Sequence, residues 1–581
     1  MNRLKEIIRD NRFFDFLIFS VFMLFSGFLS LHYGVERTYD TRNYHIYNPW
    51  AFLTGRIGYD IMPGGIQSYF NPFLDVPYYL AIKYLNDYPV LITFFMGFSF
   101  ALFLFMVYKT ALLVFKDYHP IVLAIVCVFL ASENKMNLRC LGWLSHDIFL
   151  GDLILLSLYL IFKGFDKYSL RNFGLSGLIL GACVGLKYTT AVFAVPLGII
   201  FLLFYKRYQN PLKTFFFFCL GGLVGFLLTG GIWISILYYH FGNPTFPYFN
   251  WLFNSPEIAS SDVYTSDFGR IVSKSLKQNW LGPLVTKPYD LSHTILWVAF
   301  FVNFALFPFV NRKKFKEWFK LDAGYADFAL LFCFFSHGLW AYTFATYRYY
   351  APILGLTAIV AIIVFFKVLY ILKTIYLLIF KKAIISGKKT AVVSFALLLC
   401  FCSYLTALLW PHYITAPEKK LVRVSIGQKI LDVEDLQIPD NAIVLLGGGT
   451  GIILPFQNPN ARYIKINPLE FSRVSKKLFS EKNINLMKSE IKEKRDKIFT
   501  ITNFDIMPYT RANIAKLRQK QLEYFNQNKH WYLSPLASAL SEMDELGIDI
   551  EKYDCREIKS NMIDTIRNLQ HRFYFCKFEV L

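Results

Sequence analysis

Long apolar runs, rather than short alternating ones, fill most of the first 410 positions of the chain. Hydrocarbon about 30 Å thick needs roughly 20 apolar residues wound as a helix. Runs of this kind predict membrane spans at 13–33, 88–108, 119–132, 147–163, 173–187, 189–205, 214–239, 292–310, 323–345, 349–366 and 390–410, about eleven in all. The third and fifth are short. Segment 367–380 keeps Lys367 and Lys373 among apolar residues and reads as an interfacial helix or the frayed end of a span.

After Trp410 the pattern changes. "NAIVLLGGGTG" (441–451) reads as a buried strand entering a glycine-rich turn, and "ARYIKIN" and "DKIFTIT" read as further strands. Stretches 468–495 and 511–529, rich in Lys, Glu, Arg and Leu, read as helices, and "FYFCKFEVL" as a closing strand. The expected architecture is a polytopic α-helical membrane domain, residues 1–410, which includes a first outer loop at 34–87. A soluble extracytoplasmic α/β domain, residues 411–581, follows it.

Composition agrees: of 581 residues 55% are hydrophobic and 19% aromatic, and only 18% are charged, against about a quarter in an ordinary soluble domain. The net charge of +20 does not indicate nucleic acid, because the basic residues collect in short clusters between apolar runs. Arg3, Lys5, Arg9 and Arg12 precede the first run, which lacks a small-residue cleavage site and reads as an uncleaved anchor with a cytoplasmic N-terminus. Every second connection after that is basic: Lys109 and Lys116; Lys163, Lys167 and Arg171; Lys206, Arg207 and Lys213; Arg312, Lys313, Lys314, Lys316 and Lys320; then Lys381, Lys382, Lys388 and Lys389. A missed span would invert this alternation. The pattern predicts a multi-pass inner (plasma) membrane protein with the C-terminal domain outside the cytoplasm.

The polar residues of interest then share the outer face. In "YDTRNYHIYN" (39–48), Asp40, Arg42, Asn43 and His45 crowd together beside Tyr44, with Gln67 and Asn71 further along the same loop. Short helices over 43–54 and 73–85 are expected here. In "NLRCLGWLSHD" (137–147), His146 and Asp147 open the fourth span. Lys187 in "GLKYTT" and Arg348 in "YRYYAP" interrupt apolar hairpins. Charges at such depths usually face a cavity or a partner. The plainer alternatives are helix caps for Asp40, Ser145 or Asp147 and snorkelling for the two cations. No Walker A loop, HExxH or CxxC spacing occurs, and "GGGTG" reads as a tight turn. Cys127, Cys183, Cys219, Cys333, Cys400 and Cys402 lie in or near spans and read as small core residues. Cys555 and Cys576 could form a disulfide in an oxidising compartment or stay buried free thiols; the sequence leaves both open.

This layout resembles the GT-C superfamily of integral-membrane glycosyltransferases, which includes oligosaccharyltransferase catalytic subunits, protein O-mannosyltransferases and lipid A aminoarabinose transferases. "DTRNYHIYNPWAFLTGR", "GLKYT", "GNPTFPYFNWLF" (242–253) and "YRYYAP" are similar to patterns in bacterial multi-span proteins of this type. The resemblance implies a sugar donor linked to polyprenyl phosphate and transfer outside the cytoplasm to a cell-envelope glycan, lipid or protein. It matches Asp40 to the first-loop acid and Asp147 to a second acid facing it across a cavity. Asp40 is followed by Thr41 rather than by another acid, so no cofactor is fixed and a divalent metal stays open.

On that reading Asp40 is the general base. Arg42, Lys187 and Arg348 stabilise the departing phosphate. Asn43, Tyr44, His45, Gln67, Asn71, His146 and Tyr349 complete the candidate binding set, with Tyr47 and Trp50 available for stacking. The alternatives are a flippase or transporter of lipid-linked sugars and a polysaccharide polymerase or ligase. Transporters tend to place ionisable groups at the bilayer midplane within repeated halves, which this chain does not show.

Overall fold

A computed structural model of the protein describes residues 12–35, 38, 40–132, 135–142, 144, 146–258, 291–343, 346–380, 426–465, 481–502, 550–564, 569–570 and 572–580. The expected span 390–410, the expected helix 511–529, Cys400 and Cys402 lie outside them.

Every other expected span coincides with a helix. They are α1 (Arg12–Tyr33), α2 (Pro89–Phe95) running into α3 (Phe98–Val114), α4 (Pro120–Ser132), α5 (Asp147–Asp166), α6 (Leu170–Leu186), α7 (Ala191–Leu203), α8 (Pro211–Phe241), α9 (Leu291–Leu306), α10 (Ala323–Thr343) and α11 (Ala351–Phe380). Their starts follow from local chemistry. Pro120 and Pro211 occupy first-turn positions where no amide hydrogen is needed. The side chains of Ser169 and Asn210 accept hydrogen bonds from the amides of Asn172 and Lys213. Gly242, in the left-handed region at φ 63°, closes α8.

By length and apolarity, five helices can cross a membrane: Arg12–Tyr33, Pro89–Val114, Asp147–Asp166, Pro211–Phe241 and Arg348–Ile379. Counting Ile295–Phe309 with Arg312–Phe319, bent by 112°, as one span makes six. The eleven expected crossings are not reached among the described residues by this measure. Pro120–Ser132, Leu170–Leu186 and Tyr188–Leu203 are apolar but have only 10–17 residues, about 15–26 Å of helix. Segment 367–380 is no separate interfacial helix. It continues α11 unbroken, because Lys367 is buried against partners inside the bundle instead of leaving it.

Helices α6 and α8 meet along glycines. A methyl group on Gly177, Gly181 or Gly225 would collide with the backbone of Phe218, Gly222 or Leu178 respectively. Such small-residue seams let two backbones approach where lipid supplies no hydrophobic drive. Cys127, Cys183 and Cys333 are buried as expected, whereas Cys219 lies exposed on α8.

The C-terminal region carries a five-stranded mixed sheet: β1 (Ile443–Leu446), β2 (Arg462–Lys465), β3 (Ile498–Thr502), β4 (Ile550–Ile558) and β5 (Phe573–Val580), in the order β2-β1-β3-β5-β4. The first three are parallel; β5 is antiparallel to both its neighbours. Cys555 and Cys576 stand directly opposite each other on β4 and β5 and form a disulfide. Of the expected helix 468–495, the described part winds over Glu481–Glu493.

This sheet docks on the first loop. Ile61 pairs with Ile464 at the sheet edge, its amide donating to Tyr463 O at 3.0 Å and its carbonyl accepting from Lys465 N at 2.9 Å. Arg56 donates to Asp60 Oδ1 at 2.6 Å and to Ala461 O at 2.7 Å, and Asp60 accepts the Tyr463 amide at 2.9 Å. One hydrophobic core therefore runs from Tyr47, Trp50 and Met62 through Trp233 to Leu445 and Ile453. A second core fills the helical bundle.

Candidate functional site

Four helix ends meet beside the first loop. After α1, the chain turns at Gly34 (φ 89°) and reaches Asp40, which opens a wide π-type turn over Thr41–His45. Asp40 occupies the cap position, yet its side chain makes no capping bond. Its Oδ2 instead accepts a hydrogen bond from the Arg348 guanidinium at 2.8 Å. Arg348 lies in the short turn Tyr347–Tyr350 that leads into α11. Its Nε is 3.1 Å from Asp147 Oδ2, close enough for an ion pair without hydrogen-bond alignment.

Asp147 is the first residue of α5, and its Oδ1 accepts from the ammonium of Lys187, the residue that ends α6. The Tyr349 ring lies under both cations, 4.8 Å from Lys187 Nζ and 5.5 Å from the Arg348 guanidinium carbon. Two carboxylates and two cations thus neutralise one another. Exposure separates the acids: the Asp40 side chain is 18% exposed and that of Asp147 only 3%.

A second group adjoins this one. His45 Nδ1 and His146 Nε2 each lie 2.8 Å from Asp75 Oδ1. Asp75 stands just before the helix Val76–Leu85, again without a side-chain capping bond. Burial raises its carboxyl pKa, but His45 and then His146 outweigh burial and hold it below the usual carboxylate range. His146 adopts a left-handed backbone (φ 53°) immediately before Asp147. That conformation is uncommon for a residue with a side chain and persists where the surroundings hold it. Tyr44 packs on His45 at 4.2 Å between ring centroids. Burial, then the charge of Asp40, keeps its phenol well above 10.

Asn43 links the loop to the sheet. Its amide nitrogen donates to Gly64 O at 2.7 Å and Gln67 Oε1 at 3.0 Å, while its oxygen accepts from the buried Lys465 ammonium at 3.1 Å. Gly451, after the glycine-rich turn, packs directly on the Asn43 carbonyl, where a side chain would collide. Asn71 stands apart, donating to Gly185 O and Thr229 O at 2.9 and 3.0 Å across the α6–α8 seam. Arg42 is buried in the Thr41–His45 turn.

Asp40, Asp147, Lys187, Arg348 and Tyr349 therefore come together, and His45 and His146 adjoin them. Asn43 and Gln67 bond to each other within the first loop, and Asn71 ties that loop to the α6–α8 seam. The two acids do not face each other across an open space as expected; Arg348 bridges them. Cap readings for Asp40 and Asp147 fail on geometry, as does simple snorkelling for the cations. Sequence reasoning missed Asp75 and Lys465. Asp75 in "FLDVPYY" looks like an ordinary helix-start acid, and Lys465 like an outward residue of a strand.

The model of glycosyltransferase family 87 matches residues 74–333. That stretch contains Asp75, His146, Asp147 and Lys187 but stops short of Arg348. By structure the chain is similar to the archaeal oligosaccharyltransferase AglB from Archaeoglobus fulgidus, in complex with an inhibitory peptide and a dolichol-phosphate. The identity is 12% over 84% of this chain and 69% of that one, with a TM-score of 0.37. No curated protein matches the sequence.

Proposed function

We propose that this chain, a membrane glycosyltransferase of the GT-C superfamily, moves a sugar from a polyprenyl-phosphate donor to a cell-envelope glycan, lipid or protein acceptor on the outer face of the plasma membrane. The observation that carries this reading is the pairing of two carboxylates with Lys187 and Arg348 where four helix ends meet. A lipid phosphate waits at such a depth, and its departure leaves an anion that preorganised cations stabilise.

Asp147, clasped by both cations, orients them; Asp40, more exposed and held by Arg348 alone among the described residues, is the group free to take a proton. The acceptor oxygen forms a bond to the anomeric carbon as that carbon's bond to the phosphate oxygen breaks. The acceptor proton passes to Asp40, and the electron pair leaves with polyprenyl phosphate, whose charge Arg348 and Lys187 meet. A single displacement of this kind inverts the anomeric centre.

The C-terminal sheet, docked on the first loop through Arg56, Asp60 and Lys465, lies on the same outer side in this reading and helps select the acceptor. The test uses full-length protein in lipid nanodiscs with a panel of radiolabelled polyprenyl-monophosphate sugars and, as contrast, pyrophosphate-linked ones. Release of polyprenyl phosphate coupled to sugar transfer is expected with at least one monophosphate donor. Turnover confined to pyrophosphate-linked donors would overturn the donor assignment.

A further inference from the structure

Three side chains beside the ion cluster have the composition of a transition-metal site. His45 comes from the Thr41–His45 turn, Asp75 from the start of the helix Val76–Leu85, and His146 from the residue before α5. Each offers one ligand atom, and these atoms lie within 4.8 Å of one another, both nitrogens being 2.8 Å from Asp75 Oδ1. His45 and Asp75 are buried and His146 is half-buried. An ion bound at about 2.0–2.2 Å to nitrogen and oxygen needs ligand atoms roughly 3–3.5 Å apart. Small rotations of the two rings therefore suffice.

We propose that His45, Asp75 and His146 bind one divalent first-row transition ion, which staples the first loop to the start of α5. Two imidazoles and one carboxylate suit zinc, cobalt or manganese. Magnesium and calcium prefer oxygen donors and are excluded by this set. The site is chemically apart from the Asp40–Arg348–Asp147–Lys187 cluster, where both Asp147 oxygens and Asp40 Oδ2 face cations. Its consequence for that cluster is positional. Fixing His146 in its left-handed backbone fixes Asp147, the next residue and the partner of both cations. Only this consequence rests on the glycosyl-transfer reading; the binding of the ion does not.

Wild-type protein, tag-free and stripped with chelator in detergent, is titrated with cobalt and followed by visible absorption, with zinc competition and elemental analysis. One equivalent of cobalt, displaced by zinc but not by a hundredfold excess of magnesium or calcium, is expected. Zinc should also raise the thermal midpoint of the wild type. His146→Gln, the least buried change, and His45→Ala should each weaken binding by at least tenfold, and the double variant should abolish the cobalt spectrum. Should a variant misfold, the wild-type titration still decides. Absence of stoichiometric uptake by folded wild type overturns the site, as does equal uptake by the folded double variant. If zinc binds but sugar transfer is absent, the transferase donor reading fails while the site stands.

Discussion

Helix α11 and the turn before it hold two charged clusters of opposite character. Arg348, in that turn, meets Asp40 and Asp147. Lys367, nineteen positions later and so roughly 28 Å along the helix, meets Asp327 and Asn303. Its ammonium donates to Asn303 Oδ1 at 2.6 Å and to Asp327 Oδ1 at 2.7 Å, while Arg312 donates to Asp327 Oδ2 at 2.9 Å. The Lys367 and Asp327 side chains are 2% and 5% exposed. There the polar groups satisfy one another, Lys367 and Asp327 are sealed within the bundle, and Arg312, itself 54% exposed, covers Asp327 from outside. In the loop-side cluster Arg348, Lys187 and Asp40 each keep about a fifth of the side chain exposed. Charge buried in a bundle is not by itself a sign of chemistry. Access to the charge separates a site from a strut.

The sharpest way to break that comparison is to remove the base. Asp40→Asn keeps the shape of the side chain and can still accept from Arg348, but cannot take a proton. Sugar transfer should fall by about 10²–10⁴ with thermal unfolding unchanged. If the variant transfers at the wild-type rate, Asp40 holds Arg348 in place and does nothing more.

Lys367→Met should do the reverse. It leaves Asp327 with Arg312 and Asn303 and takes the ammonium from a closed network. Because Asp327 keeps Arg312, the cost should stay below the about 3–5 kcal/mol of a buried charge left with no partner, yet the thermal midpoint should drop while the folded fraction keeps its KM for the donor. A loss of transfer at an unchanged midpoint would mean the two clusters communicate and are not a site and a strut.

The helices of the membrane half were legible in sequence because apolar length is a local property: 13–33 against Arg12–Tyr33, and 147–163 against Asp147–Asp166, differ by a few residues, whereas the expected number of crossings is not reached among the described residues. The strands in "NAIVLL", "ARYIKIN" and "DKIFTIT" were legible for the same reason. The convergence of Asp40, Asp147, Lys187 and Arg348 could be anticipated only as a shared face. Which acid meets which cation depends on how four helix ends pack, and no spacing encodes it. Asp75 was missed because an acid before Val-Pro carries the same local signal as a helix cap. The Gly177–Gly181–Gly185 spacing was a readable sign of the α6–α8 seam that went unused. The C-terminal domain looked separable because its strands are local, yet Asp60, Arg56 and Lys465 give it a common core with the first loop.

The smallest effect belongs to a third ion pair, whose two side chains are more exposed than those of Lys367, Asp327, Asp40, Asp147, Lys187 or Arg348. Arg207 donates to Asp322 Oδ1 at 2.9 Å and Oδ2 at 3.1 Å, and the Gly324 amide donates to Oδ1 at 2.8 Å. The side chains are 25% and 32% exposed, so solvent screens the pair and Asp322→Asn should cost no more than about 1 kcal/mol at neutral pH. Burial raises the Asp322 carboxyl, but Arg207 and then the Gly324 amide outweigh it and hold the pKa below the usual range. A depressed folded-state pKa means the unfolded chain binds the proton first as pH falls. The pair's contribution is therefore whole above the unfolded value of about 3.9 and disappears as pH drops through the lower folded value. Wild type and Asp322→Asn should differ by a constant small amount from pH 7 to about pH 5, and the gap should narrow as pH falls below the unfolded value of about 3.9. A gap that persists unchanged to pH 3 would show that the variant acts by losing the turn at Gly324 rather than the charge. A gap at pH 7 as large as that of Lys367→Met would place this pair with the struts, and exposure would no longer rank the ion pairs of this protein.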